Sequence, residues 1–285
     1  MPVKILTDSG SDLPLQFYQE NDITLFPLKV LLKGQEYEDL LTIKPKTIFD
    51  EIRNGEVPKT AQVSPLDFEK TFTEMAKNNE DGVYIAFSSK LSGTYQTAVM
   101  IRDQVKEAYP DFNLAIVDTK CASLGQGLVV MDALQHARKG ASLDEVVKRA
   151  KSTASHIEHL FTVEDLDYLA KGGRLSKASA FLGGLLNIKP LLNVDDGKLV
   201  PIEKIRGKKK VLRRMVDLMK ERGGDFENQT VGISHGDDIK TASEMKKLIE
   251  DELHAKEVLI TEIGAVIGSH TGPGTIAIFF LNKIQ

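Results

Sequence analysis

The sequence predicts an α/β fold built from two domains. Short β-branched runs alternate with segments of helical periodicity in the first half, which is the pattern of a largely parallel sheet. A hairpin signal and several single strands in the second half indicate an α+β unit with a mixed sheet. A chain of 285 residues, 41% of them hydrophobic, is somewhat long for one domain. We therefore expect an N-terminal α/β domain over residues 1–156 and a C-terminal α+β domain over residues 157–285.

The elements of the N-terminal half follow from three short strands and the helices behind them. The strands are VKIL (3–6), VYIAF (83–87) and LAIVD (114–118). Helical periodicity follows two of them, as in βα units of a parallel sheet. The text SLDE at Ser142 is a capping box, so a further helix begins there and runs toward Ser155.

The C-terminal half begins with a strand and a short helix, HLFTV (159–163) and EDLDYLA (164–170). Gly172 and Gly173 are suited to end that helix, because glycine adopts the left-handed conformation easily. Asp196 and Gly197 predict the turn of a β-hairpin. The elements expected after the hairpin are TVGISH (230–235), a helix over 240–254, EVLITEI (257–263) and TIAIFFLN (275–282).

Composition restricts the class of protein. No apolar run approaches the roughly 18 residues of a membrane span, and the start of the chain lacks the pattern of a signal peptide. The single cysteine, Cys121, cannot form an internal disulfide, and the net charge is -4. We therefore expect a cytoplasmic protein with no nucleic-acid partner and only transient membrane contact. No metal-ligand spacing such as H-E-x-x-H occurs, which predicts no metal site.

The stretch SSKLSGTYQT (88–97) is the first candidate site. It follows a strand and opens a helix, so the Ser92 hydroxyl and the N–H groups of residues 93–95, beginning with Gly93, are suited to bind one anion. The alternative is that Ser92 only caps its own helix. The stretch TDSGSDLP (7–14) favours capping instead: Ser11 or Asp12 would cap a helix that Pro14 helps to start.

Two further stretches contain candidate binding residues. Glycines and a proline surround His270 in GSHTGPG (268–274), which predicts a rigid loop with the imidazole facing a cleft. The other histidines considered are assigned to the surface or the core: His136, His156, His159 and His254. Arg174 follows a double glycine and precedes a helix expected to be capped by Ser176, a position from which a guanidinium reaches a ligand or a neighbouring loop.

The basic run KIRGKKK (204–210) is the last candidate. Arg206 with the lysines at 208–210 is either a solvated face or a docking surface for an anionic partner. No serine-protease order, nucleophile elbow, phosphate-binding Walker loop or dinucleotide fingerprint is present. An anion-binding cradle without a nucleophile or a cofactor loop favours a carrier over an enzyme, and no cofactor is expected.

A set of short motifs, in order along nearly the whole chain, resembles the DegV family and, within it, the fatty-acid-binding subunits of bacterial fatty acid kinases. The motifs are TDSGSDLP (7–14), TAQVSP (60–65), SSKLSGTYQ (88–96), SLGQG (123–127), LDYLAKGGRLS (166–176), NIKPLL (187–192), KIRGKKK (204–210), SHGDD (234–238) and IGSHTGPG (267–274). One departure is Ala61, where members commonly have serine. A hydroxyl contact from position 61 is therefore excluded.

The resemblance implies two α/β domains with a long-chain fatty acid buried between or within them. A separate ATP-dependent kinase subunit would phosphorylate its carboxylate. The product would be an acyl phosphate for phospholipid synthesis. Carried onto this chain, Thr60, Ser92 and His270 would hold the carboxylate. Arg174 would support the carboxylate or the transferred phosphoryl group, and Arg206 would serve phosphotransfer or kinase docking. FPLKVLL (26–32) and SAFLGGLLNI (179–188) are candidate walls of the acyl tunnel.

Two other functions stay open at the level of sequence. SSKLSGT is similar to the S-x-S-G-x-T phosphate loop of sugar-isomerase domains, so a phosphosugar-binding enzyme or sensor is one alternative. The other is a regulatory interaction module that uses the basic face at 208–210.

Overall fold

The structure is a computed structural model that describes residues 3–175 and 187–283. The strands in chain order are β1 (Lys4–Asp8), β2 (Thr24–Phe26), β3 (Lys29–Leu32), β4 (Gln35–Glu38), β5 (Lys59–Ala61), β6 (Gly82–Ala86), β7 (Leu114–Asp118), β8 (Ile157–Thr162), β9 (Ile188–Asp195), β10 (Lys198–Arg206), β11 (Thr230–His235), β12 (Glu257–Glu262) and β13 (Ile276–Leu281). The helices are α1 (Leu15–Glu20), α2 (Pro45–Arg53), α3 (Pro65–Lys77), α4 (Thr94–Ala108), α5 (Leu124–Arg138), α6 (Leu143–His156), α7 (Leu166–Lys171), α8 (Lys208–Arg222), α9 (Ile239–Leu253) and α10 (Ala265–Thr271).

A four-stranded sheet with the order β2-β1-β6-β7 forms the centre of the N-terminal half. All of its strand pairs are parallel, as the alternation of strands and helices predicted. β6 is buried along its whole length, since helices cover both faces of such a sheet. The carboxyl ends of β1 and β6 therefore meet at one edge, where residues 8–12 and 87–93 follow them.

A second, smaller sheet in this half is a feature that the sequence did not predict. It is antiparallel, has three strands and has the order β4-β3-β5. β5 is only three residues long and pairs Thr60 with Val30 of β3. Thr60 is therefore held on a strand.

The C-terminal half contains a six-stranded mixed sheet with the order β10-β9-β8-β13-β11-β12. Only β11 and β12 are parallel within it. The predicted hairpin is confirmed, because β9 and β10 pair antiparallel around Asp196 and Gly197. Both turn residues have positive φ, at 43° and 79°, which is the geometry of the turn preferred in two-residue hairpins.

The two halves share one apolar core. Leu124 of α5 packs against β11 so closely that a Cβ on Gly232 would lie 2.9 Å from its Cδ2 atom. Phe161 of β8 and Phe279 of β13 belong to the same buried cluster as residues of β1 and β6. α6 starts at the predicted capping box and ends at His156, and β8 begins at Ile157. We propose this point as the boundary between the domains.

No helix within the described ranges is long and apolar enough to cross a membrane.

Candidate functional site

A cavity of about 230 Å³ lies between the two halves of the molecule. Most of its wall is apolar. Side chains from both halves contribute, among them Leu28, Phe87, Leu91, Phe161, Leu199, Val266 and Phe279. An apolar cavity with a few convergent polar groups is the usual form of a small-molecule site.

The polar residues of the wall include most of the predicted site residues. Thr60, Ser92, Gly93, Arg174 and His270 all line this cavity. Gln62, which sequence reasoning did not single out, lies beside them and donates from Nε2 to Thr97 Oγ1 at 2.9 Å. The predicted residues therefore converge from four separate parts of the chain, and we call Thr60, Ser92, Arg174 and His270 the cavity cluster.

Thr60 and His270 make a direct contact. Thr60 Oγ1 and His270 Nε2 are 2.7 Å apart and share a hydrogen bond. The prediction that His270 lies in a loop is wrong, because it occupies the last turn of α10. Gly272 and Gly274, both with positive φ, form the turn only after the helix has ended.

His270 is a neutral imidazole at pH 7. Burial, and secondarily the positive charge of Arg174, lower the pKa of His270 from 6.5 to about 4. The ring also packs tightly on Gly172, where an added Cβ would lie 2.2 Å from Nδ1. Thr60 on one side and Gly172 on the other thus fix the orientation of the ring.

Ser92 and Gly93 precede the first residue of α4. Ser92 Oγ accepts the N–H of Thr94 at 3.2 Å and lies 2.8 Å from Thr94 Oγ1. The N-cap residue of α4 is Gly93 and the helix has no side-chain cap, so Ser92 makes a local contact ahead of the helix rather than the cap considered as an alternative, and it lines the cavity. Gly93 admits a close approach, since a Cβ there would lie 2.5 Å from Gln62 Oε1.

Arg174 joins two loops beside the cavity. Its Nε donates to the carbonyl oxygen of Leu91 at 3.2 Å, and one terminal nitrogen donates to that of Gly172 at 2.6 Å. Leu91 precedes Ser92 in the chain, and Gly172 packs against the His270 ring. Because carbonyl oxygens carry no net charge, both contacts leave the positive charge of Arg174 available to a ligand. Ser176, the predicted cap of the next helix, lies outside the described residues.

Arg206 is the predicted site residue that does not join this cluster. It is the last residue of β10, is exposed, and does not line the cavity. In the neighbouring lysine run, Lys208 Nζ forms an ion pair with Asp238 Oδ2 at 2.5 Å, whereas Lys209 and Lys210 are exposed.

The motif TDSGSDLP has a different role from the predicted one. α1 starts after Pro14 without a side-chain cap, so the expectation that Ser11 or Asp12 caps it is wrong. Asp12 instead accepts hydrogen bonds from Ser123 Oγ at 2.5 Å and from the N–H of Gly264 at 2.9 Å. These contacts connect the turn that follows β1 to the start of α10. The Asp12 carboxylate is therefore not available to cap α1.

His159 lines the cavity although its sequence context gave no signal of this. It lies on β8 and accepts the N–H of Ala122 at Nε2, 3.3 Å away. Burial lowers the pKa of His159 to about 4. Of the two candidate tunnel walls, 26–32 contributes Leu28, and residues 179–186 lie outside the described residues.

Comparisons with known proteins agree on one family. A family model described as "Uncharacterised protein, DegV family" matches residues 2–283. A DegV domain-containing protein of Clostridium perfringens is 40% identical over 284 residues, covering 99% of this chain and 98% of the relative.

Solved structures give the same result. A DegV family protein from Thermus thermophilus, described as binding fatty acid, superposes with a TM-score of 0.88 at 32% identity and covers 99% of this chain and 100% of that one. A stearic acid-binding protein from Eubacterium ventriosum superposes with a TM-score of 0.89 at 26% identity, covering 99% and 98%. By sequence and by fold, the chain belongs to the DegV family.

Proposed function

We propose that this protein is a carrier that buries a long-chain fatty acid and presents its carboxylate to a separate ATP-dependent kinase subunit. The observation that carries the proposal is an apolar cavity whose wall includes one cluster of hydroxyl, imidazole and guanidinium groups. A phosphosugar would need polar groups over most of its surface, which this wall does not offer. The fatty acid binding described for the Thermus thermophilus and Eubacterium ventriosum proteins supports the fatty-acid-binding part of the proposal. The kinase partner is what the motif resemblance implies.

The hydrogen-bond directions suit a carboxylate. With the proton of neutral His270 on Nε2, the ring donates to Thr60 Oγ1 and leaves the threonine hydroxyl hydrogen for the ligand. Thr94 Oγ1 accepts the N–H of Val63 at 3.4 Å and lies 2.8 Å from Ser92 Oγ. When a carboxylate is bound, Thr94 would donate its own hydrogen to Ser92 Oγ. The hydroxyl hydrogen of Ser92 is then also available to the carboxylate.

The acyl tail supplies most of the binding free energy. About 14 buried methylenes at roughly 0.8 kcal/mol each give on the order of 11 kcal/mol before the cost of association. Hydrogen bonds to the carboxylate add roughly 1.5–3 kcal/mol each, much of it offset by desolvation. The tail therefore sets the affinity, and the cavity cluster sets the position of the carboxylate.

The kinase step assigns roles to the two arginines. Arg174, whose charge faces the site, would stabilise the carboxylate or the transferred phosphoryl group. Arg206, exposed on β10 and outside the cavity, would contact the kinase. The acyl phosphate would serve phospholipid synthesis, and its formation from ATP implies action in the cytoplasm.

Ser92→Ala and His270→Ala test the site. Both variants should unfold at the wild-type denaturant concentration and should lose acyl phosphate formation with the kinase subunit. Ser152→Ala is a matched control, because Ser152 is exposed on α6 and does not line the cavity. Arg206→Ala should keep wild-type fatty acid affinity and lose turnover. Wild-type turnover in both Ser92→Ala and His270→Ala would refute the site assignment.

A further inference from the structure

A second cavity, of about 300 Å³, adjoins the first. Thr60, Arg174 and His270 line both cavities, so these three side chains form the partition between them. Lys59 and Lys171, which line the second cavity, are exposed, so this cavity reaches the protein surface. A carboxylate held by Thr60 in the first cavity would therefore lie beside the second.

The walls of the two cavities differ in charge. The second includes the side chains of Lys59, Lys171 and Arg174 and one carboxylate, that of Glu56. Within residues 3–175 and 187–283, no carboxylate forms an ion pair with any of the three cations. Unpaired cations around a concave site raise the local concentration of anions.

We propose that the second cavity is a phosphoryl subsite, in which Lys59, Lys171 and Arg174 receive the phosphoryl group that becomes joined to the fatty acid carboxylate. This inference rests on the proposed function. It assigns roles to Lys59 and Lys171 and gives the phosphoryl group a place on the carrier itself.

The group transfer is balanced without a proton. An oxygen of the ionised carboxylate donates an electron pair to the terminal phosphorus of a nucleoside triphosphate, which the kinase subunit supplies. The bond from that phosphorus to the bridging oxygen breaks, and its electron pair leaves with the nucleoside diphosphate. Negative charge stays on the oxygens of the transferred group throughout, so the cations on the wall stabilise both the transition state and the acyl phosphate.

A pair of probes tests the subsite without the kinase. The first probe is palmitate, and the second is its β-ketophosphonate analogue, in which a CH₂–PO₃ group follows the carbonyl carbon and mimics the acyl phosphate. Isothermal titration gives both affinities for the wild type and for the double variant Lys59→Ala/Lys171→Ala. The matched control is Lys151→Ala, an exposed lysine of α6 that lines neither cavity.

The double variant should bind palmitate like the wild type and the phosphonate about tenfold more weakly, since two partly screened charges no longer face the phosphonate oxygens. The control should bind both probes normally. Equal loss or no loss for both probes, or a wild type that binds palmitate but not the phosphonate, would overturn the subsite. A wild type that binds neither probe would instead refute the proposed function, so the two failures are distinguishable.

Discussion

Two groups of polar side chains in this molecule differ in burial and in how their hydrogen bonds are completed. One is the acidic cluster, which consists of Asp8, Asp12 and Asp39, all fully or almost fully buried. The other is the cavity cluster. Both collect residues that are distant in the chain, but the cavity cluster lines the first cavity, whereas the acidic cluster does not.

Protein groups surround each carboxylate of the acidic cluster. Asp8 accepts from Tyr84 Oη at 2.6 Å and from the N–H groups of Phe87 and Gly10 at 3.0 and 3.1 Å. Asp39 accepts from Ser9 Oγ at 2.9 Å and from the N–H of Ala265 at 2.8 Å. Asp39 on Ala265 and Asp12 on Gly264 accept the N–H groups at the start of α10, the helix that carries His270.

The cavity cluster has the opposite character. Thr60 and Ser92 each lie beside a group that can donate to them, His270 Nε2 and Thr94 Oγ1, which would leave their hydroxyl hydrogens for a ligand. Within residues 3–175 and 187–283, Arg174 donates to two carbonyl oxygens and to no carboxylate. Buried polar groups that are complete within the protein stabilise the fold, whereas incomplete ones point to a ligand. The comparison therefore predicts that changes in the acidic cluster affect stability and that changes in the cavity cluster affect binding.

Asp8→Ala should give the largest loss of stability. It leaves the Tyr84 hydroxyl and two backbone N–H groups without their acceptor, which should lower the free energy of unfolding by about 4 kcal/mol or more. Urea denaturation followed by circular dichroism measures the change. Asp111→Ala, at an exposed site, is the control and should stay within about 0.5 kcal/mol of the wild type. Similar small effects for both variants would contradict the structural role of the acidic cluster.

Asp39→Asn should change how stability depends on pH. Burial raises the pKa of Asp39 from 3.8 to about 6, so the folded protein holds this proton more tightly than the unfolded chain does. Asp39 therefore costs stability as pH rises from about 4 to about 6, by roughly 2–3 kcal/mol in total. The asparagine keeps an oxygen for the N–H of Ala265 and does not titrate.

The difference in unfolding free energy, variant minus wild type, should rise by roughly 2–3 kcal/mol between pH 4 and pH 7. Urea titrations of both proteins at several pH values measure it, and contributions from the histidines cancel in the difference. A difference that is constant with pH would show that Asp39 does not titrate as proposed.

Gly172→Ala should have the smallest effect on stability and a specific effect on binding. The added Cβ displaces the His270 ring, and we expect about a tenfold loss of palmitate affinity because the hydrogen bond to Thr60 is lost. Gly173→Ala is the matched control: its φ of 69° strains the backbone, yet no atom of the described residues lies within 4 Å of the added Cβ. If the two variants bind palmitate equally well, His270 does not position the ligand.

Local sequence signals predicted much of the fold. The capping box at Ser142, the Asp196–Gly197 turn and the strand TVGISH appear where they were expected. These elements depend on neighbouring residues, so a short window of sequence contains the necessary information. Five residues named from their motifs line the cavity, namely Thr60, Ser92, Gly93, Arg174 and His270. The contacts between them were not predicted.

The errors in the prediction concern contacts between distant residues. The segment AVIGSHT forms a helix because Asp12 and Asp39, far away in the chain, accept its first N–H groups. β5 is a strand because it pairs with β3. Neither Lys59 nor Lys171 could be identified as a binding residue from the sequence, because only the fold brings the two to the wall of the same cavity.

The central claim is that the cavity holds a long-chain fatty acid, and its most direct test is mass spectrometry of small molecules released when the purified protein is denatured. Protein purified from a bacterial host should release one long-chain fatty acid per chain. Protein stripped of lipid should bind one fatty acid per chain again when excess fatty acid is added. Release of a phosphosugar, or no uptake of fatty acid by the stripped protein, would contradict the account.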